Sequence, residues 1–247
     1  MRKIALLIVA ALTFSQVQAQ KEKYTKLFDM YTMEKYQKCL DAAEGYTQSE
    51  KTAKDPEPYL YMAMSFFEIS KDPDRFDTKK FPELKDPLKK AVGYSAKFAK
   101  RDKDGSLRAD NKEFLDELKE AAIDAIKGMY ERKETSKYAS FARDMSKAFD
   151  KDYPTMLLTG IYLIYGNSQS EGIKNLDIAM ENLKKAGKPE EGFDRLSKRM
   201  LTEGFVMYTT YLNDTKDKKK AQTVLALAKD LLPESEEIQK QESVISQ

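Results

Sequence analysis

Apolar residues recur along this chain at spacings of three and four positions, and Pro, Asp and Gly interrupt the pattern. Such spacing marks one face of an α-helix, whereas the sustained alternation that would indicate a strand does not occur. The pattern therefore predicts an all-α chain. The predicted helices cover residues 21–32, 34–48, 57–70, 83–100, 111–132, 136–150, 154–166, 170–186, 190–213, 217–231 and 234–245.

Two helix pairs near the C-terminus repeat one spacing. The first helix of the last pair carries large, large, small and large residues, and the first helix of the preceding pair has the same spacing. The second helix of each pair carries a small residue with a large one four positions later. In one pair these residues are Phe205, Tyr208, Thr209, Leu212, Ala221, Leu225 and Ala228, followed by Pro233. In the preceding pair they are Met156, Thr159, Gly160, Leu163, Gly172, Leu176 and Ala179. Small residues let the helices of a pair approach closely, and large ones fill the space between pairs.

This layout resembles the tetratricopeptide repeat, a helical hairpin stacked in arrays. The N-terminal helices follow it in part, with Leu27 and Phe28 on a first helix and Cys39 on a second, although Phe28 is large where a small residue is expected. The resemblance implies a right-handed solenoid of about five antiparallel hairpins, closed by the polar helix 234–245 as a C-terminal cap. The alternative is an irregular helical bundle that shares the spacing.

The first nineteen residues have the three parts of a secretory signal peptide. Arg2 and Lys3 precede the apolar run 4–12, and Val17-Gln18-Ala19 offers a cleavage site after Ala19. A membrane anchor is disfavoured because a spanning helix needs about 20 apolar residues. The leader resembles those of Gram-negative bacteria, and its Ala-Gln junction resembles the Bacteroidota type. We expect a signal peptide at 1–19, no lipid-modified cysteine, and a periplasmic or secreted protein without a membrane span.

We expect residues 20–247 to form a single helical-repeat domain. Residues 70–87 interrupt it as an insertion that is too long for a hairpin turn and contains three Pro. An insertion of this kind either packs back onto the array or covers a binding site, and packing is favoured. With one cysteine, the domain has no internal disulfide and depends on its core. Cys39 itself is predicted to be a buried, inert thiol.

Charge and composition exclude several kinds of function. Loss of Arg2 and Lys3 with the leader would bring the 43 basic residues level with the 41 acidic ones, which argues against a nucleic-acid binder. The chain has no His, hence no imidazole base and no His-ligated metal. Asp102, Asp104 and Gly105 resemble part of a calcium loop, but Lys100 and Asn111 occupy its first and last ligand positions. We therefore expect a polar loop, no metal, no cofactor and no catalysis.

In the tetratricopeptide family the first helices line a concave groove that grips peptides. The resemblance implies that the groove here has an apolar and aromatic lining, and that the protein is a scaffold for a protein or peptide partner. The alternative is a soluble carrier of a small apolar or sugar-like ligand enclosed by the solenoid. The residues predicted to line the groove are Leu60, Met64, Phe67, Leu157, Ile161, Tyr165, Val206 and Thr210.

Overall fold

The computed structural model describes residues 24–76 and 81–245, so the predicted signal peptide at 1–19 lies outside the described residues. Over the described ranges the chain is all-helical and contains no strand, which confirms the predicted fold class. Two short 3-10 turns, Pro73–Arg75 and Pro82–Leu84, occur in the insertion. The α-helices are α1 (Thr25–Thr32), α2 (Tyr36–Gln48), α3 (Glu57–Lys71), α4 (Pro87–Arg101), α5 (Ser106–Asp110), α6 (Lys112–Glu131), α7 (Thr135–Ala148), α8 (Tyr153–Tyr165), α9 (Gln169–Ala186), α10 (Arg195–Asp214), α11 (Lys218–Leu231) and α12 (Glu236–Ile245).

The chain divides into two compact units, an N-terminal unit up to Lys112 and a C-terminal unit from Glu113 onward. In the N-terminal unit, α3 is central and packs against α1, α2 and α4. In the C-terminal unit, α8 packs against α7, α9 and α10, and α10 packs in turn against α11 and α12. Each unit therefore has a central helix covered on several sides by its neighbours in sequence. The single repeat domain over 20–247 stays a prediction.

Four helix pairs are joined by the same three-residue turn. Its central residue has a left-handed backbone: Glu34 (φ 56°), Lys133 (φ 59°), Asn167 (φ 61°) and Lys216 (φ 63°). In every case its N–H donates to the carbonyl three residues earlier, and the next N–H donates to the carbonyl five residues before itself. This is the Schellman arrangement, which satisfies carbonyl groups at a helix C-terminus. The following helix begins two residues after the turn residue in all four pairs.

Counting from these turn residues places the four pairs in register. The fifth residue after the turn is buried in every second helix and is Cys39, Tyr138, Gly172 or Ala221. The seventh residue before the turn is also buried and is Leu27, Ile126, Gly160 or Thr209. Leu27 thus corresponds to Gly160 and Thr209. The expected place of Phe28 in the hairpin interface is therefore wrong, since its side chain is 54% exposed.

Small residues bring the two helices of α8 and α9 into backbone contact. A Cβ atom added at Gly172 would lie 2.6 Å from the carbonyl oxygen of Gly160, and one added at Gly160 would lie 2.9 Å from Cγ of Leu176. In the α1–α2 pair the Cys39 thiol donates to the Leu27 carbonyl at 3.5 Å, at the equivalent crossing point. Cys39 is buried as predicted, and this burial raises the pKa of its thiol.

The described part of the insertion packs onto the N-terminal unit. Leu84 is fully buried, and Arg75 forms an exposed ion pair with Glu34 at 3.4 Å. This confirms packing for these residues, while 77–80 lie outside the described ranges. Among the described helices, none combines the length and the apolar character needed to cross a bilayer.

Candidate functional site

A pocket of about 870 Å³ opens in the N-terminal unit between α1, α3 and the segment that joins α4 to α6. We call it the α1–α3 pocket. Its apolar wall comes from the facing sides of α1 and α3, and its polar rim comes from the joining segment. The lining residues are Phe28, Tyr31, Thr32, Pro56, Glu57, Leu60, Tyr61, Met64, Arg101, Asp102, Lys103, Asp104, Ser106, Leu107, Asp110 and Asn111.

Arg101 is held firmly at the rim of the α1–α3 pocket. Its guanidinium lies over the ring of Tyr59, 3.8 Å from the ring centroid. It also donates to the carbonyl of Ala53 at 3.1 Å and to that of Lys97 at 2.9 Å. Arg101 is therefore a fixed cation beside the aromatic and apolar wall of the pocket.

Asp102 and Asp104 hold the short helix α5. The buried Asp102 carboxylate accepts from the backbone N–H of Arg108 at 2.9 Å and from its guanidinium at 3.2 Å. Asp104 accepts from the N–H and hydroxyl of Ser106, which lowers the pKa of its carboxyl. Gly105 supplies the turn that leads into α5, with φ 77°. Across the described residues no group of three or more acids and cysteines could hold a metal ion.

The side chain of Asn111 acts at the end of α5. The Asn111 side-chain amide donates to the Leu107 carbonyl at 2.8 Å, so it closes the end of α5. The segment 101–111 is thus a tightly bonded polar loop, and its acids act within the loop.

The residues predicted to line a groove fall into three environments. Leu60 and Met64 line the α1–α3 pocket, and Phe67, from the same helix, is buried outside it. Leu157 and Ile161 are fully buried in the core of the C-terminal unit, among side chains of α9, α10 and α11. These two side chains cannot touch a partner without unfolding of that core. Tyr165, Val206 and Thr210 are half-buried and lie on a different surface, described next.

That surface carries three half-buried tyrosines from three different helices, and we call Tyr130, Tyr165 and Tyr211 the tyrosine face. The ring centroids of Tyr130 and Tyr165 are 5.7 Å apart, and those of Tyr165 and Tyr211 are 6.0 Å apart. Buried tyrosines support the face from below: Tyr138 donates to the Tyr165 carbonyl at 2.8 Å, and Tyr162 donates to the Glu203 carboxylate at 2.6 Å.

Sequence reasoning missed much of both sites. Phe28 was assigned to a hairpin interface, whereas it is the most exposed aromatic of the pocket wall. On α10 the helical spacing of Glu203, Met207, Tyr211 and Asp214 could have marked one continuous stripe. Tyr130 gave no sequence signal, and the loop 101–111 was predicted only as a polar loop. Packing between distant segments brings each of them to its site.

No protein-family model, no curated protein and no solved structure matches the chain.

Proposed function

We propose that the protein is a non-catalytic scaffold of the bacterial periplasm or cell envelope that binds a protein or peptide partner. The observation that carries the proposal is the α1–α3 pocket, whose apolar wall includes Phe28 with 54% of its side chain exposed. Exposed aromatic residues in concave surfaces are characteristic anchors for partner side chains. The location rests on the leader pattern of residues 1–19.

The fold we propose is a right-handed solenoid of hairpins similar to the tetratricopeptide repeat. Its support is the shared turn at Glu34, Lys133, Asn167 and Lys216, together with the buried register counted from it. The pocket lies between α1 and α3, which would be the first helices of two successive hairpins. In the repeat family these are the helices that face the concave side, so the pocket has the position expected for peptide binding.

The absence of catalysis is part of the proposal. The chain has no His to act as a base near neutral pH. Of the acids at the pocket rim, Asp102 and Asp104 are engaged in hydrogen bonds that hold α5. These two carboxylates therefore stabilise the rim, and the apolar wall is the surface that recognises the partner.

A carrier of a small apolar ligand is the second candidate. The volume of about 870 Å³ favours it, since ligand pockets typically measure about 300–1,000 Å³. In this alternative Phe28, Tyr31 and Met64 would enclose the ligand, and the protein would copurify with a small molecule instead of a polypeptide.

Photo-crosslinking inside the cell tests the proposal. A photoreactive phenylalanine analogue replaces Phe28 in one strain and Met33 in a matched strain. Met33 is also exposed, at 61%, but does not line the pocket. We expect a discrete protein adduct from position 28 and none from position 33.

Substitution then tests whether the adduct reports specific binding. Phe28→Glu should reduce copurification of the crosslinked partner about tenfold, because it places a charge in an apolar site, while Met33→Glu should leave it unchanged. Native mass spectrometry of the purified protein separates the alternative. A bound small molecule lost in Phe28→Glu, with no protein adduct, would overturn the scaffold in favour of the carrier.

A further inference from the structure

Among the described residues no Lys or Arg covers the tyrosine face, although other aromatic rings of the chain are covered by its own lysines and arginines. In the same unit, Lys119 lies 5.4 Å from the ring centroid of Phe149, and Lys220 lies 5.8 Å from that of Tyr208. Arg101 covers Tyr59 in the other unit. Over Tyr130, Tyr165 and Tyr211 the described chain places no Lys or Arg.

Three carboxylates lie on the helices that carry Tyr130 and Tyr211. Glu203, Tyr211 and Asp214 share one side of α10, since they are separated by eight and three residues. Glu131 directly follows Tyr130 at the end of α6. Burial and then the neighbours Tyr130 and Asp214 raise the pKa of Tyr165 to about 12. Glu131 and Glu203 are likewise among the groups that raise the pKa of Tyr162.

None of these three acids forms an ion pair with a described residue. The arginines farther along α10 do not reach them, because each already has a partner on α6. Arg195 pairs with Glu120 and Arg199 pairs with Asp124, both at 2.5 Å. These three acids thus have no ionic partner among the described residues, and they lie on the helices that carry Tyr130 and Tyr211.

Aromatic faces and carboxylates together attract one kind of ligand. A tyrosine ring presents negative potential above its plane and binds a Lys, Arg or alkylammonium cation at a distance within about 6 Å. Nearby carboxylates add Coulomb attraction and hydrogen bonding to the same charge. Half-buried rings also lose less hydration on binding than fully exposed ones, so the contact is stronger than at an open surface.

We propose that the tyrosine face, with Glu131, Glu203 and Asp214, is a docking surface for a basic segment of a partner polypeptide. One Lys or Arg side chain of that segment lies against Tyr165 and Tyr211, and the acids bind its charge. The half-buried Val206 and Thr210 lie on the same helix as Tyr211. This site lies in the C-terminal unit and is independent of the α1–α3 pocket.

Fluorescence anisotropy with a labelled hexalysine peptide tests the proposal at low salt. Glu131→Gln combined with Asp214→Asn should weaken binding about tenfold. The matched control is Glu190→Gln combined with Glu191→Gln, which removes the same two negative charges from an exposed loop of the same unit. Equal weakening by both double variants would show only nonspecific attraction between charges and would overturn the site.

The role of the rings is tested by Tyr211→Leu and Tyr211→Phe. The leucine variant should weaken binding about fivefold, whereas the phenylalanine variant keeps the ring and should bind like the wild type. Circular dichroism and thermal unfolding check the fold of each variant. A leucine variant that folds and binds like the wild type would contradict the contact with the ring.

Changes to the hexalysine peptide identify the kind of ligand that binds the tyrosine face. Acetylation of every lysine should abolish binding, because it removes the cation while keeping the peptide. Tetramethylammonium that binds as tightly as hexalysine would overturn the assignment to a polypeptide in favour of a free alkylammonium ion. Phe28→Glu should leave hexalysine binding unchanged, so failure of this site and failure of the pocket are distinguishable.

Discussion

At the scale of single residues, two glycines decide how closely α8 and α9 pack. Gly160 and Gly172 face each other, and the carbonyl of Gly160 occupies the space that a side chain at position 172 would need. Cys39 fills the corresponding position of the α1–α2 pair, where its thiol donates to the Leu27 carbonyl. In the α6–α7 pair Tyr138 stands at this position, and along 112–148 the two helix backbones make little close contact. Its ring instead enters the tyrosine cluster beneath the tyrosine face.

Gly172→Ala should lower the free energy of unfolding by about 2 kcal/mol, because the new Cβ would overlap a backbone atom that cannot move independently. The matched control is Gly93→Ala in α4, where nothing lies within 4 Å of the added atom. That change should raise the free energy of unfolding by about 0.5–1 kcal/mol, as expected for a glycine within a helix. Urea unfolding followed by circular dichroism measures both. Similar values for the two variants would contradict the close crossing.

At the scale of helices, local sequence specifies the ends of a helix more clearly than its central turns. Asp152, Asp194 and Asp217 each accept a hydrogen bond from the N–H three residues later, at the start of α8, α10 and α11. Such caps satisfy donors that have no partner within the helix. The C-terminal ends of α1, α6, α8 and α10 are closed by the left-handed turn residues. Helix ends were therefore visible in the sequence, since caps and turns depend on a few local residues.

Lys133→Gly should raise the free energy of unfolding by about 0.5–1 kcal/mol, because glycine adopts a left-handed backbone without the steric cost that lysine carries there. Asn167→Gly should give a smaller gain, since Asn already tolerates this conformation. Thermal unfolding of both variants measures the difference. A loss of stability in Lys133→Gly would mean that its side chain contributes more than its backbone strain costs.

At the scale of the whole molecule, half-buried tyrosines link stability to alkaline pH. Burial, above all, raises the pKa of Tyr61 to about 12 in the N-terminal unit, and that of Tyr165 to about 12 in the C-terminal unit. An unfolded tyrosine titrates near about 10. Each unit therefore contains a tyrosine whose neutral form is stabilised by folding.

The free energy of unfolding should fall as the pH rises from about 10 to about 12, because the unfolded chain then releases protons that the folded chain retains. Below about pH 10 both states are protonated at these tyrosines, and the contribution is fully present. Urea unfolding across this range, with tyrosinate absorbance, measures the slope. The double variant Tyr61→Phe with Tyr165→Phe should flatten it. An unchanged slope would assign the effect to lysines, which titrate in the same range.

The sequence alone determined the helical class, most helix boundaries and the repeated hairpin spacing near the C-terminus, because these depend on periodicity, caps and small residues within one segment. It did not determine which apolar side chains remain on the surface. Leu157 and Tyr165 lie on the same helix, yet neighbouring helices bury the first and leave the second half-buried. Phe28 and Leu27 are adjacent, and only packing decided which of them faces the pocket.

Both candidate sites were settled by the tertiary structure for the same reason. The α1–α3 pocket joins residues 28–32 to residues 101–111, and the tyrosine face joins three helices through contacts between Tyr130, Tyr165 and Tyr211. Periodicity reports which side of a helix is apolar, but it carries no information about which distant segment covers that side. Burial by a neighbour is a long-range property, and it decided which of the predicted groove residues can meet a partner.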